Sequence, residues 1–279
     1  MLFCNGLLMN INQILNQCTL PLLEARMLMQ CVTGYSRVQL LSHDTEVLND
    51  AQQVHWQTLV TRRISGEPMA YILGEREFYG RMFAVNPNVL IPRPDTETLI
   101  EAVLADFGTE TISLLDLGTG SGAIALTLAA ERPSWQVCAT DVSAEALVVA
   151  RQNSQRLNTS VRFFAGDWFG ALPADEHLKF HVLVSNPPYI EANDGHLSEG
   201  DVRFEPMGAL TDGADGLQHY RRILHDVARY LHTNGAVYFE HGYNQGASVR
   251  GLLNEAGLTQ VRTIQDLSGN DRVSTGILK

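Results

Sequence analysis

The spacing of apolar positions changes character twice along the chain. Up to about Gly74 the pattern reads as helices only. The stretch beginning Pro21-Leu-Leu-Glu-Ala-Arg opens with proline in a first-turn position and stops at Thr33-Gly34, which predicts one helix. Asn49 is placed to cap another, and Gln52 to complete a capping box. Leu48, Val54, Leu59 and Ile64 supply an apolar face before Gly66 closes that helix. Residues 1–74 therefore read as a small helical bundle, expected to serve substrate recognition. Around Glu77 the texture shifts: 78–85 and 89–91 flank Asn86-Pro-Asn88, a hairpin signal. Residues 75–92 are thus expected to form a hairpin connector. Pro92 and Pro94 then stiffen the chain before Thr96 opens a helix.

From Ile112 onward strand and helix patterns alternate. Candidate strands are 113–117, 136–140, 161–165, 181–185, 236–240, 258–264 and 273–278, with helical patterns at 123–131 and 143–157 between them. Ser143 caps the second of these helices, and Leu147, Ala150 and Leu157 share one face. Such alternation predicts an α/β domain over 93–279: a Rossmann-like, seven-stranded, mostly parallel sheet with helices on both faces.

The chain's 279 residues are 45% hydrophobic, ample for a core, and carry a formal charge of −11. Only Lys179 and Lys279 are lysines. This composition counts against a protein that grips duplex DNA through its phosphates, so no stable nucleic-acid binding is expected. Residues 1–75 contribute −2 of the charge and the remainder −9. The acidity therefore concentrates in the α/β domain. Cys4, Cys18, Cys31 and Cys138 form no CxxC pair and have no zinc-type spacing, so buried thiols of a reducing compartment are expected and no metal site. The N-terminus lacks a basic signal region, and no apolar run is long enough to span a bilayer. The expected location is the cytoplasm, without membrane association, and a monomer is expected.

The first strand of the alternating region runs into Asp116-Leu-Gly118-Thr-Gly120-Ser-Gly122, and a helix follows. Gly118, Thr119, Gly120, Ser121 and Gly122 allow a tight turn and close approach of backbone to a ligand at a helix N-terminus. Asp141, ending the second strand, is placed to accept both ribose hydroxyls of a nucleoside cofactor. The loop alone suits NAD and S-adenosylmethionine comparably. Asp167 and Trp168, after the third strand, are candidates to hydrogen-bond and stack on an adenine.

Ser185-Asn186-Pro187-Pro188-Tyr189 ends the fourth strand. Asn186 offers an amide oxygen, the two prolines fix a backbone that presents carbonyls without donors, and Tyr189 adds a flat apolar face. Asn186, Pro187, Pro188 and Tyr189 together suit a planar substrate bearing an NH₂ group. Asn186 and the Pro187 carbonyl would accept its two N–H bonds, and such a site acts by orientation and electrostatics, without a strong base. Asn186, Pro187 and Tyr189 are the catalytic candidates; Asn186 also borders the cofactor.

Leu115-Asp-Leu-Gly-Thr-Gly-Ser-Gly122 with Asn186-Pro-Pro-Tyr189 resembles the class I S-adenosylmethionine-dependent methyltransferases that modify planar amino groups. With Ile91-Pro-Arg-Pro-Asp-Thr-Glu97, Gly200-Asp-Val-Arg-Phe-Glu-Pro206 and the helical N-terminus, nearly the whole chain resembles the bacterial release-factor glutamine methyltransferases. The resemblance implies S-adenosyl-L-methionine as cofactor, with S-adenosyl-L-homocysteine as product. It implies methylation of the glutamine amide in the Gly-Gly-Gln loop of class I peptide-chain release factors. By motif position, Gly118 to Gly122, Asp141 and Trp168 would hold the cofactor, and Asn186 to Tyr189 the glutamine.

Arg93, Asp95 and Glu97 lie where the connector meets the α/β domain and could close over the cofactor or pair locally. Glu240 and His241 end the fifth strand near the crevice, the histidine reading as structural, and Asp271-Arg272 as a tie for the final hairpin. Residues 191–216 carry seven acids and one base, Arg203, expected to border the substrate entrance and steer a basic protein surface. The main competing reading is an adenine-amino methyltransferase acting on DNA, since an adenine amino group fits the same Asn-Pro-Pro-Tyr logic. A nicotinamide oxidoreductase would leave that motif idle. A non-catalytic adaptor for release factors is the third.

Overall fold

In the computed structural model, which describes residues 9–174 and 178–279, the chain divides after Gly74 into two compact units. The first unit holds α1 (Ile11–Gln17), α2 (Leu22–Thr33), α3 (Arg37–Ser42), α4 (Asp50–Ile64) and α5 (Met69–Leu73). Three of these helices start with the same device. Asn10, Ser36 and Asn49 each accept from the backbone of a glutamine three residues on, whose side chain returns the bond. α2 follows Pro21 and stops at Gly34 in the left-handed region, φ 73°. Leu28, Met29, Trp56, Leu59 and Ile72 fill the bundle core. The α4 apolar face differs from the expected one: Val54 and Ile64 are 65% and 62% exposed, and Trp56 takes their place beside Leu59. Residues 56, 59 and 60 lie within one helical stripe and 54 falls off it, whereas 64 stands at the helix's last position.

The second unit opens with a hairpin, β1 (Glu75–Phe78) and β2 (Arg81–Ala84). Its turn is not at Asn86-Pro-Asn88, as the sequence pattern suggested, but at Tyr79-Gly80, with φ of 49° and 72°. Two residues of positive φ match the twist of a two-residue hairpin. The hairpin is built into the core of this unit, where Phe78 and Phe83 pack edge to face among Leu99, Ile100 and Val103. Residues 89–91 form no strand.

After a 3₁₀ turn at Pro94–Thr96 come α6 (Glu97–Asp106), β3 (Ser113–Leu117), α7 (Ala123–Glu131), β4 (Gln136–Asp141), α8 (Ala144–Leu157), β5 (Val161–Ala165) and β6 (Phe180–Ser185). Then follow α9 (Gln218–Tyr230), β7 (Leu231–Glu240), α10 (Gly246–Glu255), β8 (Leu258–Gln265) and β9 (Asp271–Leu278). The seven strands from β3 onward form one sheet in the order β5-β4-β3-β6-β7-β9-β8, with only β9 antiparallel to its neighbours. All seven predicted strands are therefore present, as is the fold class. Alternate side chains feed two cores: Leu114, Val137 and Val182 face α6, α7 and α8, while Leu115, Cys138 and Leu183 face α9 and α10.

The chain begins this sheet in its middle, at β3, steps outward to β5, then returns to place β6 against β3. That reversal is a topological switch point, and the crevice beyond its strand ends is where such sheets bind ligands. The thiols are less uniform than expected. Cys138 is buried, Cys18 half-buried and Cys31 exposed, because α2 turns Leu28, Met29 and Val32 inward instead; Cys4 lies outside the described residues. Among the described residues no helix is long and apolar enough to cross a membrane.

Candidate active site

The crevice at the switch point is a cavity of about 500 Å³, within the range of small-molecule sites. Gly118, Thr119, Gly120 and Ser121 form one wall. Gly118, Gly120 and Gly122 all have positive φ, 76°, 57° and 83°. At Gly118 a Cβ would come within 3.3 Å of the Trp168 ring, and at Gly122 within 2.8 Å of Leu126 Cδ1. Side chains at these positions would fill the cradle or break the loop's packing on α7. Asn153 of α8 holds the loop from behind: its amide donates to Ser121 O and Ala84 O and accepts from Ala84 N. The hairpin is thereby tied to the glycine loop, by a residue whose role nothing in the local sequence announces.

Beneath the loop, Asp116 is fully buried and accepts from the Thr119 hydroxyl at 2.6 Å. Burial pushes its carboxyl up to about 7, opposed by that hydrogen bond. Asp141, at the end of β4, lines the cavity and accepts from Gly120 N at 2.8 Å and Ser143 N at 2.9 Å. Burial raises its pKa, and those backbone N–H groups oppose the rise. Each carboxylate oxygen keeps lone-pair capacity beyond these bonds.

Asp167 and Trp168 also line the cavity. The Asp167 carboxylate is ion-paired with Arg222 of α9, and the Trp168 ring meets His219 edge on, with centroids 5.2 Å apart. Trp168 Nε1 and His219 Nδ1 are buried without hydrogen-bond partners. A cradle only glycine permits, a carboxylate with spare acceptors and two orphaned ring nitrogens all lie around one cavity. These features fit a bound nucleoside of the S-adenosylmethionine type.

Asn186 and Pro188 reach the same cavity from the end of β6. Pro187 is buried beside them, and Tyr189 packs with the α9 core, its carbonyl accepting from Gln245 Nε2 at 2.9 Å. Neither Pro187 nor Tyr189 lines the cavity. Burial, chiefly, and the nearby Glu240 charge raise the Tyr189 hydroxyl pKa, so it stays a neutral phenol. Asn186 Nδ2 donates to Thr96 Oγ1 at 3.4 Å.

The secondary candidates separate clearly. Arg93 lines the cavity and pairs with the buried Glu205, which also accepts from Ile91 N at 3.3 Å. Glu205 thus is not one of the solvated acids of 191–216; it staples that segment to the chain around Arg93. Glu97 accepts from Tyr79 N at 3.0 Å and closes the hairpin turn. Asp95 pairs with Arg272, which also pairs with Asp266 in the β8–β9 turn. His241 is buried, its ring held by Ser274 Oγ and Gly242 O, as the structural reading expected. Arg93, Thr96, His219 and Arg222 all face the cavity, and only Arg93 and Thr96 among them carried a sequence signal, through the motif at 91–97.

Residues 7–74 match the family described as the PrmC N-terminal domain, and residues 94–202 that described as the methyltransferase small domain. The release factor glutamine methyltransferase of Bordetella pertussis is 51% identical over 260 residues, 93% of this chain and 96% of its own length. That of Neisseria gonorrhoeae is 50% identical over 269 residues, 96% and 97% of the two chains. A methyltransferase crystal structure from Pyrococcus furiosus shares the fold, with a TM-score of 0.54 at 20% identity over 78% of this chain and 96% of that one. This chain belongs to the release factor glutamine methyltransferase family.

Proposed function

We infer that this enzyme transfers a methyl group to the side-chain amide nitrogen of the glutamine in the Gly-Gly-Gln loop of class I release factors, supporting translation termination. The observation that carries this reading is the meeting of Asn186 and the glycine loop in one cavity across the β3–β6 switch point. When bound, S-adenosyl-L-methionine supplies an electrophilic methyl group and departs as S-adenosyl-L-homocysteine. Gly118, Thr119, Gly120, Ser121 and Gly122 would form the cradle that its polar end approaches closely, and Asp141 would take the ribose hydroxyls. Asp167 and Trp168 enclose the adenine. The Asn186 amide oxygen and the Pro187 carbonyl accept the two N–H groups of the substrate amide, turning the face of its nitrogen toward the cofactor.

These acceptors act where charge develops. An amide nitrogen is a poor nucleophile because its lone pair is delocalised into the carbonyl. Acceptors on its N–H groups return electron density and stabilise positive charge as the bond forms. As the N–CH₃ bond forms and the S–CH₃ bond breaks, the alkylated amide nitrogen becomes strongly acidic and gives up one N–H proton to water. No strong base is therefore needed, and the orientation of nitrogen supplies much of the rate. Pro188 and Tyr189 hold the motif's backbone in place. The helical unit 1–74 serves substrate recognition, 75–92 leads from it into the catalytic domain 93–279 with its hairpin packed in that domain's core, and the enzyme works as a cytoplasmic monomer. An acidic catalytic domain suits a polypeptide substrate better than a base drawn from DNA.

The test is Asn186→Ala. Binding of S-adenosyl-L-homocysteine, measured by calorimetry, is expected to persist while turnover falls by about 10²- to 10³-fold. Near-parental turnover would contradict the assigned role.

A further inference from the structure

A side-chain amide is nearly symmetric in shape, so something must decide which end of Asn186 faces the substrate. If its NH₂ pointed into the cavity, donor would face donor and the substrate amide would be repelled. The structure offers an answer behind Asn186. β6 and β7 are paired with Ser185 opposite Phe239, which sets Asn186 beside Glu240 at the adjoining strand ends. Glu240 is only 1% exposed. Among the described residues it makes no direct ion pair, for its nearest cation, Arg272, contacts Asp95 and Asp266 instead. Thr96 and Asn186 are the polar side chains that act on its carboxylate from the cavity side, and its Oε2 is buried without a hydrogen-bond partner. A buried carboxylate without a direct counter-ion is costly.

We propose that Glu240, acting through Thr96, fixes the orientation of the Asn186 amide and is a positioning residue for methyl transfer. An ionised carboxylate only accepts hydrogen bonds, so the Thr96 hydroxyl must donate its single proton toward Glu240. The Thr96 oxygen is then left to accept, and it accepts from Asn186 Nδ2. With its NH₂ engaged behind, the Asn186 amide presents its oxygen to the cavity. The order is one-directional: carboxylate, hydroxyl, NH₂, then a free carbonyl oxygen. Protonating Glu240 reverses it. The carboxylic acid donates to Thr96, the freed hydroxyl proton can donate to Asn186 Oδ1, and the NH₂ turns toward the substrate.

Burial pushes the Glu240 carboxyl up to about 7, with Thr96, Arg272 and Asn186 opposing the rise and Asp95 adding to it. Other polar groups near it are Tyr189, whose phenol stays neutral, the Tyr220 hydroxyl, which donates to the Glu240 carbonyl, and His241, whose pKa burial lowers. Turnover should therefore lose an acid limb near neutrality when Glu240 can no longer titrate.

The proposal rests on Asn186 being the acceptor of the substrate amide, and the experiment separates the two. Glu240→Gln, Glu240→Leu, Thr96→Val, Thr96→Ser and Asn186→Ala are compared in the full chain. Initial rates with release factor are followed across neutral pH, and S-adenosyl-L-homocysteine affinity is measured in each. Expected are a fall in kcat of about tenfold or more in Glu240→Leu and Thr96→Val, most of it recovered in Thr96→Ser, with affinity changed less than about twofold. In Glu240→Gln, which keeps an acceptor but cannot ionise, the acid limb disappears. Should Glu240→Leu fail to fold, the Thr96 pair and Glu240→Gln still decide. An acid limb that persists in Glu240→Gln belongs to another group, such as Asp116, and overturns the proposal, as does parental kcat in Thr96→Val. If Asn186→Ala itself keeps parental turnover, the reading of the site fails first.

Discussion

Asparagine at position 141 removes one acceptor from a carboxylate that uses both of its oxygens. Oδ2 accepts from Gly120 N at 2.8 Å and Oδ1 from Ser143 N at 2.9 Å. An Asn amide has one oxygen, so its NH₂ must meet one of these two N–H groups donor to donor. A hydrogen bond to a charged acceptor contributes about 1.5–3 kcal/mol, and a backbone N–H left unsatisfied costs a comparable amount. Gly120 and Ser143 both line the cavity, so the loss is felt at the ligand whichever bond breaks. Because a bound ribose would compete for the same oxygens, affinity for S-adenosyl-L-homocysteine should fall by about 10- to 100-fold in Asp141→Asn, or about 1.4–2.8 kcal/mol. Isothermal titration calorimetry measures it directly, with the urea midpoint recorded alongside. Affinity within about twofold of the parent, with an unchanged midpoint, would refute both the geometry and the role given to Asp141.

Two further outcomes follow from the charges. The Asp116 carboxyl, raised by burial from 3.8 to about 7, binds its proton more tightly folded than unfolded. Its contribution to stability is full below the unfolded value and is lost as pH rises through about 7. Asp116→Asn should therefore gain on the parent by up to about 4 kcal/mol between pH 4 and pH 8, read from urea unfolding at both; a pH-independent difference would refute the cause assigned. Neutralising Glu191, Asp194 and Glu199, which are exposed, should slow release-factor association and flatten its salt dependence, measured by stopped flow. Unchanged rates would rule out steering by this segment.

Much of the α/β domain is legible in sequence because strands and helices there declare themselves locally. β3 and β5 have the predicted bounds, and the glycine loop, Asp141 and Asn186 sit at strand ends where alternation places them. The fold rule for switch points then brings β3 and β6 together without further information. What escapes is set by distance. Asn153 satisfies the backbone of Ala84 and Ser121 from α8, and Glu205 receives Ile91 N and Arg93 from 114 and 112 residues away. Asn153 does not differ locally from an ordinary helix position, and Glu205, although inside the motif at 200–206, reads locally as one more acid of an acidic loop. The hairpin turn lies at Tyr79-Gly80 rather than at Asn86-Pro-Asn88: Tyr79 adopts a positive φ that its residue type seldom does, whereas Asn-Pro-Asn is a strong turn signal in sequence. Glu240 was visible only as an acid near the crevice, since its meaning lies in Thr96, which a different segment supplies.

Binding of the methyl donor and its presentation to a glutamine amide are assigned to one cavity. The most direct test supplies isotopically labelled S-adenosyl-L-methionine to the enzyme with a class I release factor, with its loop variant in which the glutamine is alanine, and with duplex DNA. Label is expected on the parental release factor alone, at the loop glutamine. Label on DNA, or equal label on the alanine variant, would show that the loop glutamine is not the methyl acceptor.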